Sequence, residues 1–371
     1  MEKVFSRQNI VDLCLGATVL GTGGGGSPEL GMELLNGIYD VGKEIKMIAV
    51  DDVPDDAIVV FPAGVGSIAE TEEKSRYDEQ LKKTIMTDES PLRHALDMME
   101  STIGQKVYGA VAIELGGYNT ALAAFLGALA GIPFVDADTI GRAKPESEMQ
   151  CLGLHQVPIT PIVLADVWGN TVVVSQVESY RSAEKIARAM AVIGGGTTAV
   201  RCPMTGKRLK ETILPGTVSK ALRVGQALRE AQEQNTDPVE AVIEASEGIK
   251  LFEGTVSSYQ WEDRGGFLWG DIFIRGEKHY HGQKLRVWLK NENEISWLDG
   301  KPYVMTPDSL CIIDAASGEP ITNTNMREGL QLVVFGIPAP PIFRTPEGLA
   351  LVGPAHFEFD LPYVPIEDLV S

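Results

Sequence analysis

Asp136 and Asp138 stand two residues apart, directly after the short apolar run at residues 132–135. Residues two apart in extended backbone point to the same face, so the two carboxyl groups are expected to lie side by side. Like charges that close raise the pKa of one carboxyl group and make a proton carrier available near neutral pH. Two alternatives are that both carboxylates bind a divalent ion and that Asp138 pairs with Arg142. We favour catalysis or metal binding, because open α/β sheets place their ligands beyond the carboxyl ends of the strands.

Glu114 closes a second apolar run, at residues 107–114, and is followed by Leu-Gly-Gly-Tyr-Asn-Thr. This order predicts a strand, a tight glycine turn and a helix that is capped by Asn119 or Thr120. Glu114 is then expected at the sheet edge, where it could act as an acid, a base or a metal ligand. A purely structural role, in which the carboxylate caps the following helix, is about equally compatible with the sequence. His155 is a further candidate, although a single histidine is more often a satisfied structural partner.

Gly23, Gly24, Gly25 and Gly26 form an uninterrupted glycine loop. Four backbones without Cβ atoms let their N–H groups approach an anion beside a helix N-terminus, so a carboxylate or phosphate is the expected ligand. The loop follows a predicted helix rather than a strand, which argues against dinucleotide-binding and P-loop folds. A plain connector between two helices needs only one or two glycines. The sequence therefore favours close approach of the loop to a ligand or to another chain segment.

The elements that must position these residues are of mixed type. Ser6 and Ser27 each begin a predicted helix, strand-like and helical runs then alternate, and short β-like segments dominate residues 254–365. A chain of 371 residues also exceeds what one hydrophobic core usually organises. We predict an α/β fold with two domains. Residues 1–172 form a layered α/β domain with a mostly parallel or mixed sheet, and residues 173–371 form a β-rich C-terminal domain with a few helices.

Charge and cysteine usage restrict the partners. Lys and Arg number 32 against 51 Asp and Glu, and the formal charge of −19 repels nucleic-acid phosphates and anionic membranes. We therefore expect a small-molecule substrate, no nucleic acid and no membrane, while homo-oligomer formation stays open. The N-terminus has no secretory pattern, no run approaches ~18 apolar residues and the four cysteines are scattered singly, so a cytoplasmic location is expected.

A weaker metal hypothesis concerns His356, Glu358 and Asp360. On a strand, these three alternating side chains share one face and offer ligand atoms to an ion. The polar face of an edge strand explains the same spacing and is the favoured interpretation.

Longer motifs carry a resemblance to a known family. They are Leu-Gly-Thr-Gly-Gly-Gly-Gly-Ser-Pro from Leu20, Glu-Leu-Gly-Gly-Tyr-Asn-Thr-Ala from Glu114 and Val-Asp-Ala-Asp-Thr-Ile-Gly-Arg-Ala-Lys-Pro-Glu from Val135. Shorter segments at Met204 and Pro307 extend the similarity over nearly the whole chain. Together the segments resemble the S-methyl thiohydantoin desulfurase-like family, which is associated with hydantoinase and oxoprolinase systems.

The resemblance implies the same two-domain architecture and a hydrolase that acts on a small hydantoin-like ring. Water replaces a methylthio group on the ring, and methanethiol leaves. Such a reaction needs an activated water, a hydrogen-bond donor that stabilises the charge developing on the ring, and a proton for the leaving sulfur. The candidate catalytic residues are Asp136, Asp138, Glu114 and His155. The candidate substrate-binding residues are Gly23, Gly24, Gly25, Gly26, Asn119, Thr120 and Arg142.

In this hypothesis the two aspartates activate water, directly or through a divalent metal such as zinc, and the glycine loop binds a substrate carboxylate. Two other classes stay open. A hydantoinase- or oxoprolinase-type cyclic amidohydrolase, or a subunit of one, would cleave a ring C–N bond instead. A non-catalytic subunit would use the glycine loop only to bind a small anion.

Overall fold

The computed structural model describes residues 2–66 and 72–370. The helices are α1 Arg7–Leu20, α2 Pro28–Asp40, α3 Glu72–Thr84, α4 Pro91–Ile103, α5 Asn119–Ala130, α6 Cys151–Leu154, α7 Tyr180–Gly194, α8 Gly206–Thr212, α9 Thr217–Gln234, α10 Pro238–Ala245, α11 Pro346–Val352 and α12 Ile366–Leu369. The strands are β1 Lys3–Val4, β2 Lys46–Ile48, β3 Ile58–Val65, β4 Val107–Val111, β5 Phe134–Val135, β6 Ala137–Asp138, β7 Ile162–Ala165, β8 Thr171–Val174, β9 Thr197–Thr205, β10 Leu214–Pro215, β11 Ile249–Arg264, β12 Phe267–Gly276, β13 Lys284–Lys290, β14 Glu292–Leu298, β15 Lys301–Met305, β16 Ser309–Asp314 and β17 Gln331–Ile337.

Local capping explains where the first two helices begin. The Ser6 hydroxyl accepts the Asn9 N–H at 3.2 Å and the Asn9 side chain accepts the Ser6 N–H at 3.0 Å, a reciprocal capping box. At α2, the Ser27 hydroxyl accepts the Leu30 N–H at 3.2 Å, and Pro28 occupies the first helical position. Both predicted helix starts are confirmed. The glycine loop therefore lies between two helix ends that the local sequence specifies.

The first sheet has eight strands in the order β1-β2-β5-β4-β3-β9-β7-β8. The four strands β2, β5, β4 and β3 run parallel, and the other neighbouring pairs are antiparallel. Val60 is buried in the apolar core on one face of the sheet, and Val59 and Phe61 are buried on the other. Both faces are therefore covered, as expected for a sheet with parallel strands at its centre. The predicted mixed sheet is confirmed.

The second sheet has seven strands in the order β15-β14-β13-β12-β11-β17-β16, and every neighbouring pair is antiparallel. This confirms the predicted β-rich C-terminal region. The predicted boundary at residues 172 and 173 falls within β8, and the later strand β9 also belongs to the first sheet. The exact division into domains therefore stays a prediction.

Close contacts join the N-terminal and C-terminal parts of the chain. A Cβ atom on Gly16 of α1 would lie 1.8 Å from the Ala221 carbonyl oxygen of α9, so only glycine lets the two helices approach this closely. Buried Arg142 forms a 3.0 Å ion pair with Glu294 of β14. Every helix among the described residues is too short or too polar to cross a lipid bilayer.

Candidate functional site

A cleft of about 270 Å³ opens where the two sheets meet. The glycine loop, the carboxyl ends of β3 and β4, the start of α5 and the loop at residues 144–147 form its N-terminal side. The hairpin between β11 and β12, the start of β14 and the loop at residues 322–324 form the opposite side. The cleft therefore lies beyond the carboxyl ends of parallel strands, the position where open α/β sheets bind their ligands.

The glycine loop lines this cleft because other segments press against its backbone. Gly23, Gly25 and Gly26 have φ angles of +91°, +76° and +82°, a left-handed region that glycine adopts without strain. A Cβ atom on Gly24 would lie 1.9 Å from a carboxylate oxygen of Glu292. The Gly25 carbonyl accepts the N–H groups of Tyr118 and Asn119, at 3.2 and 3.1 Å. The predicted close approach is thus to other chain segments, and the loop also forms part of the cleft wall.

Glu114 lies just beyond β4 and lines the cleft, 6% exposed. Its Oε1 atom accepts a hydrogen bond from the Asn119 amide, and its Oε2 atom accepts the Lys144 backbone N–H at 3.3 Å. Burial raises the pKa of Glu114, while the positive charge of Lys144 and the Asn119 hydrogen bond oppose the rise. The structure therefore brings Glu114, Asn119 and the glycine loop to one site, and Glu114 is a carboxyl group with a raised pKa.

Lys144 is a site residue that sequence reasoning missed. Its ammonium group donates to the Ile113 carbonyl at 2.8 Å and to the Thr139 hydroxyl at 2.9 Å. Burial lowers the pKa of Lys144 to about 8 despite the negative charge of Glu114, and Arg201 adds to the lowering. The residue lies in the family motif that begins at Val135, but nothing in its local sequence indicates burial.

The lowered pKa predicts how stability depends on pH. Unfolded lysine keeps its proton up to about pH 10.4, whereas Lys144 in the folded chain loses it near pH 8. Between these values the unfolded state binds more protons, so stability rises with pH. We expect the free energy of unfolding of the wild type, relative to Lys144→Met, to increase from pH 8 to pH 10 in urea titrations. If the free energies of unfolding of the two proteins changed in parallel with pH, the lowered pKa of Lys144 would be contradicted.

Three polar atoms at the cleft are buried and have no hydrogen-bond partner among the described residues. They are Arg201 Nε, Glu292 Oε2 and Asn323 Oδ1. Buried polar groups are normally paired, because an unpaired one keeps the cost of its lost hydration. Their convergence in one cleft indicates a site built for a polar ligand.

Sequence reasoning also missed Glu292 and Arg201. Glu292 opens β14 in the run Asn-Glu-Asn-Glu, which has the composition of a polar turn, yet the side chain is 2% exposed. Arg201 extends from β9, where Cys202 has a φ of +53° and the pairing with β3 is irregular. Bulges of this kind redirect side chains, and no local pattern in the sequence announces this one.

Asp136 and Asp138 do not line the cleft with the glycine loop, contrary to the expectation of a side-by-side pair. The Asp136 carboxylate accepts the backbone N–H and the hydroxyl of Ser219 in the first turn of α9, at 2.8 and 2.6 Å. Asp138 is fully buried and accepts the N–H groups of Ile140 and Gly141, at 2.9 and 2.8 Å. The two carboxylates therefore have separate partners, and the structure does not bring them together as a pair at the cleft.

Three other predicted site residues also lie outside the cleft lining. His155 follows α6, and its backbone carbonyl accepts a hydrogen bond from Arg208. Arg142 is bound by Glu294 and by the Asn293 carbonyl, the latter at 3.0 Å, so it joins the segment after β6 to β14. The Thr120 hydroxyl accepts the N–H of Gly116 at 3.0 Å and stabilises the turn after Glu114. The structure therefore does not bring these three residues to the cleft with Glu114 and the glycine loop.

The structure places the side chains of the predicted metal site near His356 differently from the prediction. His356 lies in a 3-10 turn at Pro354–Phe357 and Glu358 has a φ of +65°, so the predicted shared strand face is wrong. His356 instead lies with Glu146 and Glu148, close enough for their ligand atoms to surround one ion. Burial opposes ionisation, yet hydrogen bonds from His356 and Lys290 lower the pKa of Glu146 to about 2. Because the Lys290 ammonium already neutralises Glu146, this group fits a divalent ion poorly.

Comparisons with known proteins match the whole architecture. Sequence profiles described as S-Me-THD-like, N-terminal domain and S-Me-THD-like, C-terminal domain match residues 8–176 and 178–366. No curated protein matches the chain. A crystal structure of a protein from Chromobacterium violaceum, a Northeast Structural Genomics Consortium target, has a TM-score of 0.79 and 22% identity, with 99% of this chain and 100% of that chain covered. At this identity the likeness shows the fold alone.

Proposed function

This chain belongs to the S-Me-THD-like family, and on that premise we propose that it is a hydrolase that replaces the methylthio group of a small hydantoin-like ring by water. The observation that carries the proposal is the pairing, in one cleft, of Glu114 with Lys144. Glu114 is a buried carboxyl group with a raised pKa, and the pKa of Lys144 is about 8. Such tuned pairs are typical of sites that move protons near neutral pH.

Glu114 is the proposed base. Asn119 and the Lys144 backbone each donate to one of its oxygens, which fixes the carboxylate in orientation. A water bound at its remaining lone pairs would transfer a proton to it and attack the ring carbon that carries sulfur. Asp136, whose oxygens accept the N–H and hydroxyl of Ser219, and Asp138, which accepts backbone N–H groups, have no part in the proposed step.

Arg201 and the glycine loop are the proposed ring-binding groups. The Nη1 atom of Arg201 donates to the Ser147 hydroxyl at 3.3 Å, and its buried Nε has no partner among the described residues. A guanidinium N–H of this kind suits a ring oxygen or a carboxylate substituent. Backbone N–H groups of Gly25 and Gly26, at the cleft wall before α2, offer further donors to an anionic group.

Product analysis tests the function. The purified full chain is incubated in ¹⁸O-labelled water with an S-methyl thiohydantoin, and thiol and ring products are quantified. We expect one methanethiol for each hydantoin formed, with one ¹⁸O atom in the ring carbonyl. A ring-opened carbamoyl acid with the methylthio group retained would indicate a cyclic amidohydrolase instead. Thermal stabilisation by the compound without either product would indicate a binding subunit.

A further inference from the structure

Glu292 is a buried carboxyl group of the cleft whose Oε2 has no hydrogen-bond partner among residues 2–66 and 72–370. We propose that Glu292 is a second catalytic residue, the acid that protonates the sulfur of the departing thiol. This assignment rests on the proposed function. It adds a role that neither the family match nor the sequence motifs assign.

The position of Glu292 is fixed by its neighbours. The following residue, Asn293, donates its N–H to the Thr22 carbonyl at 2.8 Å, which ties the start of β14 to the residue before the glycine loop. The Asn323 amide donates to the Asn291 carbonyl at 2.8 Å and supports the same strand end from the other side. With the carboxyl group lying against Gly24, these contacts hold it at the wall of the cleft.

The surroundings of Glu292 favour its neutral, proton-bearing form. Burial is the main influence that raises its pKa well above the usual range, and repulsion from Glu114 and Glu294 adds to it. The positive charge of Arg142 opposes the rise, but that guanidinium is ion-paired with Glu294 at 3.0 Å. Ionising both of two buried carboxyl groups that repel each other in one cleft costs free energy, so one of them retains a proton.

Among the residues that the structure describes, the other acidic side chains of the cleft already have hydrogen-bond partners. Glu146 is bound by Lys290 and His356, which keep it ionised. Glu184 accepts two hydrogen bonds from Arg188, at 2.9 and 2.7 Å, and the Ser147 N–H at 3.0 Å. Glu114 is bound by Asn119 and Lys144, as its role as base requires. Of the described cleft carboxyl groups, Glu292 has the fewest hydrogen-bond donors and is therefore the one whose surroundings most favour the proton-bearing form.

Together, Glu114 and Glu292 account for every proton that the proposed reaction transfers. Glu114 takes one proton from water as the C–O bond forms and passes it to the ring nitrogen. It takes the second proton as the hydroxyl becomes a carbonyl, while the C–S bond breaks with its electron pair on sulfur. Glu292 gives its proton to that sulfur and forms methanethiol. Return of one proton from Glu114 to Glu292 through solvent restores the enzyme, and no oxidant or reductant is involved.

The experiment compares two leaving groups in the wild type and in Glu292→Gln. One substrate carries methylthio, whose thiolate needs a proton, and the other carries 4-nitrophenylthio, whose thiolate leaves unaided. We expect Glu292→Gln to lower kcat for the methylthio ring by about 10²-fold or more and for the arylthio ring by less than about 10-fold. Equal losses for both substrates would overturn the proposal, because a role in binding or in ring protonation does not depend on the leaving group.

A second measurement uses the wild type alone and does not depend on folding of the variant. The ratio of methylthio to arylthio turnover should fall as pH rises and Glu292 loses its proton. A ratio that stays constant across the active pH range would overturn the proposal. Failure of the wild type to release either thiol would contradict the proposed function itself, whereas normal turnover of both substrates by Glu292→Gln would contradict only the role of Glu292.

Discussion

Replacement of Glu114 by glutamine should lower methanethiol release by about 10²- to 10⁴-fold, the usual contribution of a positioned general base. Glutamine keeps the size of the side chain and its Oε1 acceptor, so the hydrogen bond from Asn119 can persist. The weaker 3.3 Å bond from the Lys144 N–H is lost, because an amide NH2 group does not accept. It cannot take a proton from water. The expected loss is therefore in kcat, with a smaller change in KM, and steady-state assays of thiol release measure both.

The matched control is Glu328→Gln, which makes the same chemical change at an exposed position outside the cleft lining. We expect its kcat to equal that of the wild type. Circular dichroism and thermal unfolding of Glu114→Gln should show a folded protein, because burial already disfavours the charged carboxylate. A folded Glu114→Gln protein with undiminished turnover would remove Glu114 from the chemistry.

The second large effect concerns stability. Gly25→Ala should destabilise the protein by about 3 kcal/mol or more, since two costs add. The φ of +76° is unfavourable for any side chain, and a Cβ atom would lie 2.4 Å from the Gly116 Cα and 2.9 Å from the Leu115 carbonyl oxygen. Both neighbours are backbone atoms of the turn after Glu114, so they cannot move without displacing the site.

Gly42→Ala separates the two costs. Gly42 has a φ of +71°, close to that of Gly25, but a Cβ atom there would meet no heavy atom within 4 Å. We expect this variant to lose only about 1–2 kcal/mol, the conformational part. Urea unfolding of the three proteins gives the difference. Equal losses in the two variants would show that the contact between the glycine loop and the Gly116 turn does not constrain the fold.

Several features of the site follow from short-range sequence signals. The caps at Ser6 and Ser27 place the ends of α1 and α2, and hence the glycine loop between them. The apolar run that stops at Glu114, followed by two glycines, places a carboxylate beyond a strand end. These signals work because backbone conformation depends mostly on neighbouring residues, so a cap or a glycine turn is recognisable without its tertiary surroundings.

The sequence by itself thus determined the α/β class, the helix starts, the glycine loop and Glu114 as candidates, and the family motifs. The tertiary structure decided which polar side chains meet. The Asp136 carboxylate accepts hydrogen bonds from Ser219, 83 residues later, whereas the Glu292 carboxyl group lies against Gly24 of the cleft. A carboxylate acts as a cap, an ion-pair partner or a proton donor according to the groups around it. Those groups come from distant segments whose contacts depend on the packing of the two sheets, which no local pattern encodes.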